Sequence, residues 1–429
     1  MNILIIHPHF PGQFSHLAPA LVQAGHTVVA LTMQAVTVKE WEGVRLVPFA
    51  LLRGGTPGVH PWLADLEAKT AVGEACMRAA LGLKAEGFTP DVIVAHSGWG
   101  ESLFIKDVWP EARLGICCDH FRQPADGAFE AEFADHDPAQ GPRLRMPQLA
   151  QRLQFEQADQ GMVPTRWQAN SFPKPWRDCL TVVPDGVDTD AVGPKADISL
   201  TLNGQLALTR QDEVLTFACR ELAPQVGFHV FMRALPDILR RRPAAQVLIA
   251  GGDGHETAAP GGRAWRESLA IALKSQLTEA EWARVHFVGA LAAPQWVGLL
   301  QLATVHVQLS YPSVAAAGLL EAMSVGCAIV GSRTAPLEAA VQDGETGKLV
   351  DFFDSQALAD EVCALLADPD ARERLGRQAR AFVVSQHDVR TVCLTQQLAW
   401  VEGLTAEPPA AAPGSAELRS SLRDILALL

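Results

Sequence analysis

Long apolar runs are missing from this sequence: no stretch approaches the roughly 18 uninterrupted apolar residues of a membrane-spanning helix, which argues against an integral membrane protein. Paired CxxC cysteines are missing too. The eight cysteines, Cys76, Cys117, Cys118, Cys179, Cys219, Cys327, Cys363 and Cys393, are scattered, mostly inside apolar runs. That pattern favours buried reduced thiols over a disulfide framework or a thiolate zinc site. Positive charge is short: 35 Lys and Arg against 48 Asp and Glu leave a formal charge of −13. Broad binding to nucleic acid or anionic lipid is therefore disfavoured, and an anionic ligand has to be met by specific groups. The chain enters NILII at residue 2 with neither a basic segment nor a cleavable apolar stretch before it. No export signal is expected, and the expected compartment is the cytoplasm, with peripheral attachment at an inner membrane left open. Tyrosine occurs once, at Tyr311, and by itself decides nothing.

What is present is alternation. NILII, TVVAL, RLVPF, DVIVA, RLGICC, QGMVP and CLTVVP are apolar runs of strand length with helical patterns between them, all within the first 184 residues. This predicts a parallel α/β sheet. Residues 185–213, rich in Gly, Pro, Asp and Asn, break the rhythm, as a junction between domains does. VLTFAC, QVLIAG, RVHFVG, TVHVQLS, CAIVGS and KLVD then restart it. The expected organisation is a Rossmann-like domain over 1–190, a linker over 191–213 and a second Rossmann-like domain over 214–385. A C-terminal helix over 386–402 follows, and 403–429 forms a Pro/Ala linker with a short amphipathic helix. At 429 residues the chain is long enough for two such cores.

In doubly wound sheets ligands gather beyond the carboxyl ends of the strands, so the loops there carry the functional expectations. HPHFPGQF follows the first strand. Gly12 permits close backbone approach, and Gln13 and Phe14 are expected to open a helix whose N–H groups suit a diphosphate. The prolines could instead only shape a turn. A metal site from His7, His9 and His16 is disfavoured, because HxH at a strand end splays the rings and no carboxylate or thiol lies close in sequence. HSGWGES, starting at His96, suits packing of a sugar ring or an apolar ligand part. Asp119 and His120 stand at the base of a long aperiodic segment, residues 119–141, and could carry proton chemistry or simply end a strand. In the second half Gly251, Gly252 and Gly254 form a weak Gly-rich turn. SYPSVAAAGLLEAMSVG is more informative: small residues from Ala315 to Gly318 let a ligand reach a helix N-terminus, and Glu321 can accept hydrogen bonds from vicinal hydroxyls, as in a ribose.

The passages CRELAPQVGFHVFMRALPDILRRRPAAQVLIAGGDG, RVHFVG and SYPSVAAAGLLEAMSVGCAIVGSRTAPLEAAVQDGETGKLVD resemble the donor-binding domain of family-four retaining glycosyltransferases with the GT-B fold. HPHFPGQFSHLAPALVQAGHTVVALT, AHSGWGES and TVVPDGVDTD are similar to that group's acceptor domain, so the resemblance covers roughly residues 1–402. It implies two Rossmann-like domains facing across a cleft and a hexosyltransferase-type retaining activity. The donor would be a nucleoside-diphosphate sugar, the acceptor an unidentified hydroxyl, and no further cofactor or metal is implied. By the same resemblance Arg220 matches the diphosphate-binding arginine, Gly12 with Gln13 the phosphate-facing loop, Val288 and Gly289 the base-lining strand end, and Glu321 the ribose-binding glutamate. Ser313, Ala316, Ala317, Gly318 and Leu319 would by that resemblance form the loop beside the donor sugar, and His96, Asp119 and His120, which follow strand ends on one edge of the first sheet, are expected to face the cleft. Two positions depart from the family pattern. Val226 stands where a Lys or Arg usually precedes the glycine of PQVGF, and Ser313 replaces the first of two glutamates eight positions apart. These departures motivate a second reading, a catalytically weakened sugar-nucleotide-binding or scaffolding protein; a sugar-nucleotide epimerase or a phosphorylase is a third.

Overall fold

The computed structural model describes residues 1–52, 54–121, 145–202, 204–253, 263–311 and 318–406. The first half forms an eight-stranded sheet from β1 (Asn2–Ile6), β2 (Thr27–Thr32), β3 (Glu40–Trp41), β4 (Val44–Pro48), β5 (Val92–His96), β6 (Arg113–Cys117), β7 (Gln160–Val163) and β8 (Leu180–Val182). Its spatial order is β3-β4-β2-β1-β5-β6-β7-β8, parallel throughout except where β3 meets β4. The cause is visible in β1. Ile3 and Ile5 enter one core layer, Leu4 and Ile6 the other, so the strand must be covered on both faces, as parallel strands are. Fully burying each such side chain contributes about 1.5–3 kcal/mol.

The second half repeats the architecture with β11 (Val214–Glu221), β12 (Gln246–Gly252), β13 (Val285–Gly289), β14 (Val305–Gln308), β15 (Ala328–Ser332) and β16 (Lys348–Val350) in the order β13-β12-β11-β14-β15-β16, all parallel. Between the sheets, within the expected linker, β9 (Ser199–Leu202) and β10 (Leu206–Thr209) pair as an antiparallel hairpin. Ile198, Leu200, Leu202, Leu206 and Leu208 pack it onto Leu299 and Leu302. The alternation of SLTL and LALT is that of a one-sided strand pair, and the polar turn between them masks it in sequence.

The chain crosses between the domains twice, at residues 183–190 and near 388, and the two crossings are joined. Val187 and Asp388 form a parallel bridge, and Thr189 Oγ1 donates to Asp388 Oδ2 at 2.6 Å. After a short π-helical stretch at Val389–Cys393, the helix Leu394–Gly403 returns to the first domain. There Trp400, Val401 and Leu404 are buried in its core, and Gly115 leaves room for Trp400, since a Cβ there would stand 2.6 Å from the indole. Among the described residues no helix is long and apolar enough to cross a membrane.

Candidate active site

Each sheet has one point where the strand order reverses, and loops leaving the carboxyl ends of the strands there diverge to open a crevice. In the first sheet it lies between β1 and β5, so the loops starting at His7 and at His96 are neighbours. In the second it lies between β11 and β14, which brings together Arg220 with the following Pro224–Gly227 turn and the passage that leads to Glu321. Tyr311 N–H donates to the Gln225 carbonyl at 2.8 Å, and Gly227 packs so closely on Leu309 that a Cβ would stand 2.4 Å from it.

At the first of these points His7 and His96 are buried with ring centroids 6.2 Å apart. His7 Nδ1 accepts the His9 N–H at 3.1 Å, and burial, with His96 and His9 nearby, lowers its pKa to about 4. His7 is therefore neutral. Gly12 has φ +47°, and a Cβ there would sit 2.5 Å from His7 Cε1, so the close approach of this loop requires glycine. The expected helix start is corrected. Gly12–Phe14 is a single 3-10 turn in which Phe14 N–H is taken by the Pro11 carbonyl, and the α-helix begins at Leu17. The Gln13 side chain reaches the Cys117 thiol instead of serving as a helix start.

His96 accepts the Gly98 N–H on Nδ1 at 3.0 Å and faces Asp119 Oδ2 through Nε2 at 3.3 Å. Burial pulls the imidazole down, but the Asp119 hydrogen bond and charge outweigh it and the pKa is raised. Burial acts upward on Asp119, and His96 overrides it to hold the carboxyl below its ordinary value. With both ring nitrogens engaged, His96 holds Asp119 in place. Two further carboxyls complete the cluster. Glu101, buried behind the ring, accepts the His96 backbone N–H at 3.2 Å, and burial raises its pKa to about 7. Asp185 lines the cleft, and its carboxyl is raised above its ordinary value by the surrounding protein and by the neighbouring Asp119. Gln154 fixes the intervening turn by donating to the Ser97 carbonyl at 3.2 Å and accepting from Ser102 Oγ at 2.7 Å. Trp99 stands over His9 and His96, and His120 stacks flat on Trp167 at 4.7 Å.

Across the cleft, Glu321 lies in the helix Gly318–Ser324, and Trp296 Nε1–H donates to its Oε2 at 2.7 Å. Desolvation raises the carboxyl against that bond. A Cβ on Gly318 would stand 2.6 Å from the Trp296 ring, so this glycine admits the indole. Leu319 lines, with Leu320, Asp119, Trp167, Asp185 and His387, a cavity of about 250 Å³ between the two domains. Arg220 is exposed near the carboxyl end of β11, Val226 packs against the second core, and Val288 and Gly289 end the outer strand β13. Ser313, Ala316, Ala317 and Gly254 lie outside the described residues, as do residues 122–144 and 407–429. Sequence reading overlooked Glu101, Asp185, Trp167, Trp296 and His387. For Asp185 the signal was present in TVVPDGVDTD, a polar turn directly after a strand.

Residues 24–192 match the model of the glycosyl transferase family 4 group, and residues 205–382 that of glycosyl transferases group 1. A D-inositol 3-phosphate glycosyltransferase of Corynebacterium efficiens is 30% identical over 200 residues, 44% of this chain and 45% of the relative. The chain thus spans about half the length of this relative. A glycogen synthase of Mycobacterium tuberculosis is 27% identical over 88% of this chain and 87% of its own. Among solved structures, a sucrose-phosphate synthase from Thermosynechococcus elongatus superposes with a TM-score of 0.73 at 19% identity, covering 95% of this chain and 100% of the other. Anabaena HepE in complex with UDP and glucose gives 0.64 at 17% identity, over 94% and 99%. Each family model falls on one of the two facing sheets, and the chain belongs to the family-four glycosyltransferases of the GT-B fold.

Proposed function

We propose that the protein is a retaining glycosyltransferase that moves a sugar from a nucleoside diphosphate to an acceptor hydroxyl. The observation that carries this reading is the opposition of two crevices. Arg220 and Glu321 follow the strands at the order reversal of one sheet, His96 follows a strand at that of the other and pairs with Asp119, and a cavity lined by Asp119 and Asp185 on one side and by Leu319 and Leu320 on the other lies between the domains. Arg220 would face the diphosphate, and Glu321, with one oxygen held by Trp296, would present the other to a ribose hydroxyl. The sugar would reach toward His96 and Asp119, and the acceptor would enter beside Trp167 and Asp185. As the bond from the anomeric carbon to the phosphate oxygen breaks, its electron pair leaves with the nucleoside diphosphate. The acceptor oxygen bonds to the same face of that carbon, and its proton passes to the departing phosphate. Negative charge grows on the leaving group, so a cation aimed at it acts more strongly in the transition state than in the ground state. Closure of the two domains would exclude water.

The test is calorimetry with UDP-, GDP- and ADP-sugars, followed by anomeric analysis of products by NMR. Binding of at least one donor, with a product of unchanged anomeric configuration, supports the reading. An inverted product, or no donor binding, overturns it. Binding with neither transfer nor hydrolysis supports the second reading, a sugar-nucleotide-binding or scaffolding protein, which the apolar Val226 beside the proposed diphosphate favours.

A further inference from the structure

We infer that the second domain carries a separate binding site for a phosphate monoester, in an arginine-lined cavity at the edge of its sheet opposite the cleft. The cavity measures about 380 Å³. Thr304, which lines it, directly precedes β14, and Ala328 opens β15. It therefore lies at the amino ends of the strands, whereas Arg220 and Glu321 follow carboxyl ends. Arg210, Arg372, Arg377 and Arg380 contribute four cations, and Glu373 is the one acidic side chain in its lining, in a chain whose overall charge is −13.

Two of these arginines have structural work. Arg372 donates to the carbonyls of Leu365 and Leu366, at 2.7 and 2.8 Å, at the end of the helix Ser355–Ala367. Arg380 donates to the carbonyl of Ser324, the last residue of the Glu321 helix, and to that of Thr189 in the domain crossing. Cations at helix C-termini neutralise the negative end of the dipole and satisfy open carbonyls. The other two are surplus. Arg210 has no hydrogen bond or ion pair among the described residues, and Arg377 makes only an exposed same-helix pair with Glu373 at 3.4 Å. Burial, with Arg242 acting the same way, holds the Arg372 guanidinium below its ordinary pKa against the carboxylates of Glu213 and Asp368. Several guanidinium forks around one concavity match a tetrahedral dianion, whose oxygens accept paired N–H bonds from different directions.

The test uses the full chain, with inorganic phosphate titrated by calorimetry and vesicles of phosphatidylcholine with or without phosphatidic acid in sedimentation. With the cleft occupied by saturating UDP, wild type should still bind phosphate saturably at this site. Arg210→Gln combined with Arg377→Gln should weaken binding about tenfold. Both side chains are exposed, so the unfolding midpoint without phosphate should stay unchanged. Vesicle binding that requires phosphatidic acid and is lost in the double variant would place the same phosphate on a lipid headgroup; saturation by free phosphate alone places it on a soluble molecule. No saturable binding in either arm, binding unaffected by the double variant, or binding abolished by saturating UDP overturns the inference.

Discussion

His96 is the residue whose state governs the first-domain face of the cleft. Its raised pKa means that its contribution is complete below the ordinary histidine value of 6.5 and is lost as pH rises through the folded value. Asp119, lowered from 3.8, contributes fully above that value and loses its share as pH falls through its folded value. The pair is therefore strongest between about pH 3.8 and 6.5. Asp119→Asn should move the His96 titration, followed by imidazole NMR, from above 6.5 to below it, because burial then acts with less opposition; a His96 that still titrates above 6.5 would show that Asp119 does not hold it. Glu321 is the counterpart on the second domain. Glu321→Ala should weaken nucleotide binding by about 1.5–3 kcal/mol, since the hydroxyls it accepts from are left unpaired in a desolvated site. Trp296→Phe keeps an aromatic, if smaller, ring but removes the donor to Oε2, and should lose part of that amount. Calorimetry with UDP on both variants checks this, and equal affinity to wild type in both removes the ribose role. The departure at Val226 gives an opposite-signed test: Val226→Lys should tighten nucleoside diphosphate binding and make it more salt-sensitive.

Gly12 in its 3-10 turn and Gly318 at the first position of its helix each stand against a ring, and that shared device makes the elements testable. Gly12 must take φ +47° and leave space for His7, while Gly318 must leave space for Trp296. Gly12→Ala should cost about 1–2 kcal/mol in backbone conformation alone and displace the His7 ring, lowering turnover more than nucleotide affinity. Gly318→Ala should displace the indole and with it Glu321, lowering nucleotide affinity first. Paired measurements of affinity and turnover distinguish the two, and identical profiles would mean that the two elements do not serve separate substrates. The strands around these elements were legible because each apolar run reads as a strand covered on both faces, and the loops because they interrupt those runs. The late start of the first helix at Leu17 was not legible, since HPHFPGQF leaves open whether Gly12 begins a helix or a 3-10 turn. Glu101 stands five residues after His96 within HSGWGES, and Asp185 in the turn of TVVPDGVDTD, but only the fold shows that both carboxyls gather around the His96 ring. The β9–β10 hairpin was hidden because its two strands are only four residues each and fall within a stretch rich in Gly, Pro and Asp.

At the scale of the whole molecule the question is how two separately cored domains keep their crevices opposed, and the two crossings supply the answer. Asp388, buried beside Val187, accepts from Thr189 Oγ1 on one oxygen and from Thr391 N–H and Oγ1 on the other, at 2.6, 2.8 and 2.7 Å. Burial acts to raise its carboxyl, but these donors hold it down to about 2. Its contribution is thus fully present above the ordinary 3.8 and is lost as pH falls through about 2, so it is constant across the neutral range. Arg390 adds a second tie between the crossings by donating to Asp188 Oδ2 at 2.6 Å, an exposed contact worth less. Asp388→Ala removes three donors' partner at once and should destabilise the chain by about 2–4 kcal/mol, read as a lowered unfolding midpoint, whereas Arg390→Ala should change it little. The kinetic consequence separates a hinge from a mere staple. Arg220 and Glu321 both sit on the second domain, so loosening the crossings should leave nucleotide affinity near the wild-type value while turnover falls, because only turnover needs His96 and Asp119 brought to the sugar. Asp388→Asn, which keeps an acceptor but not the charge, should fall between wild type and Asp388→Ala in both midpoint and turnover. If Asp388→Ala lowers the midpoint and leaves turnover untouched, the crossing is a staple alone, and the opposition of the two crevices is set elsewhere, by the Trp400 and Val401 packing of the returning helix.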